Sequence, residues 1–290
     1  MHSAESEQSA SDGELRIDSV SGVALSASQA GEGIPVVLLH GLTATRRYVV
    51  MGSRSLERSG HHVIAYDARG HGRSSPAADP AAYGYELLAQ DLLAVLDALA
   101  LPRAVLAGAS MGAHTMLHLA LTQPERVAGL VLITPSFDPD SPRNEHELTG
   151  WDALAHGLRE GGVDGFVRAY DFDKVPDAMR ATIETVLRQR LAAHEHPLAV
   201  ADALEAVPRS HPFERIEQLA ALDVPTVVVG SRDEADAGHP LAVAERYAAT
   251  IPGAQLVVED AGPPLHSPIA WQGGQLSRVI AELAEQAPID

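Results

Sequence analysis

The sequence predicts an α/β fold: a mainly parallel, doubly wound sheet with an inserted helical cap. Three observations lead there. Apolar runs of strand length alternate with stretches of helical periodicity, the pattern of a sheet wound from successive strand–helix units. The run Gly108-Ala109-Ser110-Met111-Gly112 sits where one apolar run meets a helix. Residues 136–212 carry helical patterns but no convincing strand, a stretch of roughly 80 residues and too long for an ordinary loop.

Taken in order, residues 1–13 are polar and lack both the basic and the apolar regions of a secretion signal, so a disordered tail is expected. Glu14 to Val20 and Val23 to Ser28 flank Ser21-Gly22 and read as a hairpin. Pro35–Leu39, His62–Tyr66, Ala104–Ala107, Val127–Thr134, Thr226–Val229 and Gln255–Val258 read as strands, their near-continuous apolar character fitting burial on both faces. Leu88, Leu92, Leu96 and Leu99 share one face of a helix from Tyr85 to Ala100. Ala113 to Gln123 is the next helix, stopped by Pro124. Pro240 opens another through Tyr247, proline suiting a first turn. Leu276, Val279, Ile280 and Leu283 form the stripe of a last helix, Gln275 to Glu285. The expected core is therefore 14–135 with 213–290. The expected cap, 136–212, holds helical patterns at Trp151–Leu158, Pro176–Leu191 and Pro197–Ala206. Insertions over the C-terminal edge of a sheet commonly form lids.

Composition narrows the chemistry. Apolar residues make up 46% and charged residues 21% of 290, which suits one large globular domain with an insertion. No stretch approaches the roughly 20 apolar residues of a membrane span. Cysteine is absent, which excludes disulfides and thiol catalysis and suits a cytoplasmic location. A net charge of -18 argues against nucleic-acid partners, and a small-molecule substrate is the expected partner. His114 with His118, and His194 with His196, have spacings that could grip a metal, but no carboxylate accompanies either pair. Neither metal nor cofactor is expected.

A Gly-x-Ser-x-Gly run between strand and helix is a nucleophile elbow, a tight turn that raises a serine hydroxyl at the sheet's C-terminal edge. Serine attacks only when a base takes its proton, and the base needs an orienting carboxylate. In this topology the order should be serine, acid, histidine, the last two following late strands. Asp233 follows Thr226–Val229, and His266 is the one histidine after Gln255–Val258. Asp236 and Asp138 are the competing acids. Donors for the developing oxyanion should be the backbone N–H groups of Met111, next to the nucleophile, and of Leu42, in the loop His40-Gly41-Leu42-Thr43.

With His40-Gly41-Leu42, the run Tyr66-Asp67-Ala68-Arg69-Gly70-His71-Gly72-Arg73-Ser74, the elbow at Ser110, Asp233 and His266, the chain resembles the capped serine hydrolases of the α/β-hydrolase fold. The resemblance implies a cofactor-free hydrolase that forms an acyl-enzyme, most naturally on a carboxylic ester. It also implies that Arg69 and His71 are scaffold and that His40 organises its loop. Relatives that dehalogenate alkanes or open epoxides use aspartate at the elbow, so serine sets this chain apart from them. Lactone, thioester, carbon–carbon bond and peracid chemistry remain compatible, as does a non-hydrolytic lyase or ligand receptor on the same fold. In place of a single glycine before the base, Pro263-Pro264-Leu265 separates Gly262 from His266. Arg46 and Arg47, just past the oxyanion loop, are candidates for holding a substrate carboxylate. Asp171, Asp173 and Asp177 of the cap are expected to face solvent.

Overall fold

In the computed structural model, residues 13–141, 145–175, 177–232, 236, 238–260 and 269–289 are described. The expected tail lies outside them except for Gly13, where the first strand begins. Eight strands follow in chain order: β1 (Gly13–Asp18), β2 (Ala24–Ala30), β3 (Ile34–Leu39), β4 (His61–Tyr66), β5 (Ala104–Ala109), β6 (Val127–Ile133), β7 (Thr226–Val229) and β8 (Gln255–Val257). They form one sheet in the spatial order β1-β2-β4-β3-β5-β6-β7-β8. The pairs β1–β2 and β2–β4 are antiparallel, and every other pair is parallel. This is the doubly wound sheet that the alternating pattern predicts.

Side chains alternate across it. Val37, Leu39, Leu106, Leu130 and Leu132 enter one core, while Val36, Leu38, Val105, Val131 and Ile133 enter the other. Both faces are therefore dry, which is why these strands read as continuous apolar runs rather than alternating ones. Helices α1 (Ser55–Arg58), α2 (Tyr85–Ala98), α3 (Met111–Thr122), α4 (Glu145–Ala169), α5 (Asp177–Leu191), α6 (Pro197–Ala206), α7 (Leu241–Thr250) and α8 (Gly273–Ala284) supply the covering. Leu92, Leu96, Leu117 and Tyr247 of α2, α3 and α7 close the first core. Leu56, Leu276, Ile280 and Leu283 of α1 and α8 close the second.

The winding reverses at β3, with β4 on one side and β5 on the other. Loops leaving the C-terminal ends of β3 and β5 start side by side, Leu39 pairing with Gly108, and then part company. Such a switch point opens the crevice in which ligands of α/β sheets bind.

Two local expectations need correction. Helix α3 begins at Met111, two residues before the predicted start, because Ser110 itself is its N-cap although it makes no side-chain cap bond that would betray it. The pattern at Trp151–Leu158 is part of a much longer α4, whose two arms meet at Gly162 (φ 56°, ψ -145°). The Gly161-Gly162 pair ends the first arm and starts the second, and the two arms fold against each other so closely that a Cβ on Gly157 would lie 2.6 Å from Gly165 O. All three insertion helices lie between β6 and β7, and they carry a core of their own: Ala155, Leu158, Phe166, Leu187, Leu191 and Leu204. This unit meets the sheet domain where Ala199, Ala203 and Val207 pack with Tyr83, Tyr85, Leu88 and Met111. Among the described residues, no helix is long and apolar enough to cross a membrane.

Candidate active site

The site is built from the loops after β5 and β3. Between β5 and α3 the chain turns on Ser110 alone, which takes φ 48° and ψ -109°. A positive φ at a side-chain-bearing residue costs about 1–3 kcal/mol and persists only where the surroundings impose it. Here Ser110 N–H donates to Ile133 O at 2.9 Å, and Ser110 O accepts from His114 N–H at 3.0 Å. The turn also needs backbones to pass without side chains between them. A Cβ on Gly108 would sit 2.5 Å from the carbonyl carbon of Gly112, and one on Gly112 would strike the Leu39 carbonyl. Met111 is the first residue of α3, so its N–H has no acceptor within the helix and sits at the positive end of the helix dipole.

The β3 loop lies against this elbow. A Cβ on Gly41 would be 3.5 Å from the Ser110 Cβ. Ala44 N–H donates to Gly41 O at 3.0 Å and closes a turn in which Thr43 has φ 65°. Leu42 N–H plays no part in that closing bond. Ser110, Met111 and Leu42, the predicted nucleophile and oxyanion donors, are thus brought together. The predicted acid Asp233 and base His266 lie outside the described residues. Both competing acids are described and engaged. Asp138 accepts from Arg246 at 2.7 Å and from Asp140 N–H at 3.0 Å, and the Asp236 carboxylate lies 2.9 Å from His239 Nδ1.

Three buried imidazoles underlie the β3 loop. His40 Nε2 accepts from Ala68 N–H at 2.9 Å, which leaves the proton on Nδ1 to be donated to Gly41 O at 2.8 Å. His71 Nδ1 pairs with Arg69 O at 2.9 Å. His194, from the insertion, accepts Gly72 N–H on Nδ1 at 2.8 Å and donates from Nε2 to Thr43 O at 3.0 Å. The rings meet in series, His40 tilted against His71 at 5.2 Å and His71 edge to face with His194 at 5.5 Å between centroids. Burial pushes all three below their ordinary value, and His194 falls to about 4.

Acid should therefore destabilise the fold. The unfolded chain takes a proton on this histidine near pH 6.5, whereas the folded chain resists to about 4. Stability is full above pH 6.5, declines through that window and levels off below it, with His194 accounting for roughly 3 kcal/mol. Urea unfolding at stepwise pH should show this decline, and His194→Gln should flatten it. An equally steep decline in the variant would contradict the assignment.

The remaining candidates hold structure. Arg69 is enclosed with Asp91, and His118 Nδ1 bonds Pro212 O at 3.0 Å. His114 Nε2 accepts the N–H groups of Ser136 and Phe137, fixing the loop after β6. Among the described residues no group of three histidine or acidic side chains could hold a metal. Asp173 and Asp177 stand fully in solvent, as composition predicts. Arg46 does not reach for a substrate carboxylate: its guanidinium is held by Ser26, Asp67 and Glu14, while Arg47 is exposed. The arginine that engages the β3 loop is instead Arg190 of α5, which bonds Leu42 O at 3.1 Å. Nothing in its polar helical surroundings signals that contact in the sequence.

Comparison with known proteins agrees with this geometry. The family described as alpha/beta hydrolase fold matches residues 34–169. "Putative carbamate hydrolase RutD" of Variovorax paradoxus is 34% identical over 205 residues, covering 70% of this chain and 75% of that protein. The 2-hydroxy-6-oxononadienedioate/2-hydroxy-6-oxononatrienedioate hydrolase 2 of Pseudomonas putida is 32% identical, covering 79% and 80%. A thermophilic esterase structure from Thermogutta terrifontis superposes with a TM-score of 0.75 at 25% identity, covering 94% of this chain and 98% of that one. With a strand–turn–helix elbow, a β3 loop lying against it and relatives of this similarity, the chain belongs to the α/β hydrolase fold family and is a hydrolase on that fold.

Proposed function

We propose that this protein is a serine hydrolase acting on a carboxylic ester through an acyl-enzyme. The observation that carries the reading is Ser110 held at φ 48° between two glycines, at the mouth of a helix and against the Gly41 backbone. Ser110 Oγ attacks the carbonyl carbon as His266 takes its proton, and Asp233 fixes the imidazole tautomer and stabilises its charged form. The carbonyl oxygen gathers negative charge and is met by Leu42 and Met111 N–H. His266 then returns the proton to the departing alkoxide, and water resolves the acyl-enzyme by the same route in reverse. Residues 136–212 act as the cap that bounds the substrate, and no cofactor enters the cycle.

A second reading, hydrolysis of a carbon–carbon bond beside a carbonyl, draws on the name of the Pseudomonas putida relative. It needs the same nucleophile, base and oxyanion donors. A panel of p-nitrophenyl esters, lactones, thioesters, carbamates and vinylogous 1,5-diketones separates the two. Turnover of short esters well above the rest supports the first reading, and turnover of the diketones alone overturns it. The acid assignment has its own test on whichever substrate is turned over. Asp233→Asn should lower kcat by about 10⁴-fold, since the wrong imidazole tautomer is then favoured. Asp138→Asn, which only weakens the pair with Arg246, should stay within a few-fold of the parent.

A further inference from the structure

We infer that the helical insertion builds the second oxyanion donor: Arg190 and His194 are positioning residues that hold the Gly41–Ala44 turn in the shape presenting Leu42 N–H to the reacting carbonyl. The inference rests on the assignment of Ser110 and Leu42 above.

The turn is strained in a way its own sequence does not support. Its closing bond runs from Ala44 N–H to Gly41 O, and its third residue, Thr43, has φ 65° while Leu42 does not have a positive φ. That combination is a type II turn, whose third position is normally glycine or asparagine. Threonine is β-branched and avoids the left-handed region, at a cost of about 1–2 kcal/mol. Rotating the central Leu42–Thr43 peptide into a type I turn would relieve the strain and swing the Leu42 carbonyl away. Leu42 N–H lies on the preceding peptide, so its aim depends on residue 42 itself being held through its carbonyl and side chain.

The holding groups come from the insertion. Arg190 Nη2 donates to Leu42 O at 3.1 Å and to Thr43 Oγ1 at 3.3 Å. His194 Nε2 donates to Thr43 O at 3.0 Å. Thus the central peptide carbonyl, the carbonyl after it and the threonine hydroxyl are all gripped from α5 and the segment just beyond it. Each gripping residue is itself anchored to the sheet domain. The Arg190 guanidinium lies 5.7 Å over the Tyr48 ring. His194 accepts from Gly72 N–H, and Glu195 N–H donates to Gly72 O at 2.8 Å. The Leu42 side chain packs both with the insertion's own core and with the interface beneath it. If the insertion lifts, the peptide loses these donors and the packing together. The oxyanion site is then complete only while the insertion is docked, which couples closure over a substrate to the chemical step.

The test uses the full chain and a neutral short-chain p-nitrophenyl ester, measuring kcat and KM separately. Arg190→Met and His194→Leu should each lower kcat by about 10- to 100-fold, less than the 10²–10³ of a donor lost outright. KM should stay within about threefold, and Arg190→Lys and His194→Gln, which can still donate, should recover most of kcat. Adding Thr43→Gly to Arg190→Met should restore kcat as well, because glycine keeps φ near 65° without strain. A residue that merely stabilised the fold would not be rescued that way. Unchanged kcat, a rise in KM alone, or no rescue by Thr43→Gly would overturn the inference. So would a loss confined to esters bearing a carboxylate, which would make Arg190 a substrate anchor. Should Arg190→Met not fold, Arg190→Gln, too short to reach Leu42 O, is read by the same criteria. Ser110→Ala keeps the two failures apart: if it retains turnover the site assignment is wrong, whereas an inactive Ser110→Ala beside a fully active Arg190→Met sinks the positioning role alone.

Discussion

Ser110→Ala is expected to lower kcat by about 10⁵-fold or more on any ester the protein turns over, with the fold intact. Ser110→Gly should be just as inactive yet unfold at higher denaturant than the alanine variant, by about 1 kcal/mol. The first result follows from chemistry, since no other hydroxyl stands at the helix mouth between Gly108 and Gly112. The second follows from the backbone: alanine inherits φ 48° and ψ -109°, a region open to glycine, so the strain survives in one variant and vanishes in the other. Initial rates and urea unfolding on the three proteins suffice. Equal rates in parent and alanine variant would remove Ser110 from the mechanism. Equal stability of the alanine and glycine variants would show that the elbow stores no strain.

How far the sequence could be read depends on where the information lies. Strands β3, β5 and β6 were legible because burial on both faces forces continuous apolar runs. The elbow was legible because backbone approach forces glycine at 108 and 112. The start of α3 was not, because Ser110 caps without a side-chain bond, whereas Gly161-Gly162 does mark the break between the two arms of α4. Arg46 misled by proximity, for it adjoins the loop after β3 in sequence but is fastened to Asp67. Arg190 lies 148 residues from the carbonyl it grips, and no local pattern encodes a contact of that range. The order serine, acid, base is what topology leads one to expect, and Asp233 and His266, which would complete it, lie outside the described residues.

Removing either member of the Arg69–Asp91 pair should cost about 3–5 kcal/mol in urea unfolding, a large share of what a domain has. Both side chains are wholly enclosed (0% exposed), and the guanidinium meets the carboxylate twice, at 2.7 and 2.8 Å. Arg69 also donates to Ala82 O at 2.9 Å and Leu87 O at 3.2 Å, tying the turn after β4 to the start of α2. Arg69→Met leaves a carboxylate stranded in the core, and Asp91→Leu leaves a guanidinium there. Neither charge can reach water, so the cost comes from the partner left behind more than from the bond removed. Arg69→Met with Asp91→Leu should accordingly lose clearly less than the two singles together, the shortfall measuring the stranded charges. A double variant whose loss equals the sum would disprove that account. The damage should reach the site as well. The turn that Arg69 fastens supplies Ala68 N–H to His40 and Gly72 N–H to His194, and these two histidines hold the loop bearing Leu42. At a temperature where Arg69→Met is still folded, kcat should fall and KM change little, because the donor shifts while the walls of the substrate site remain.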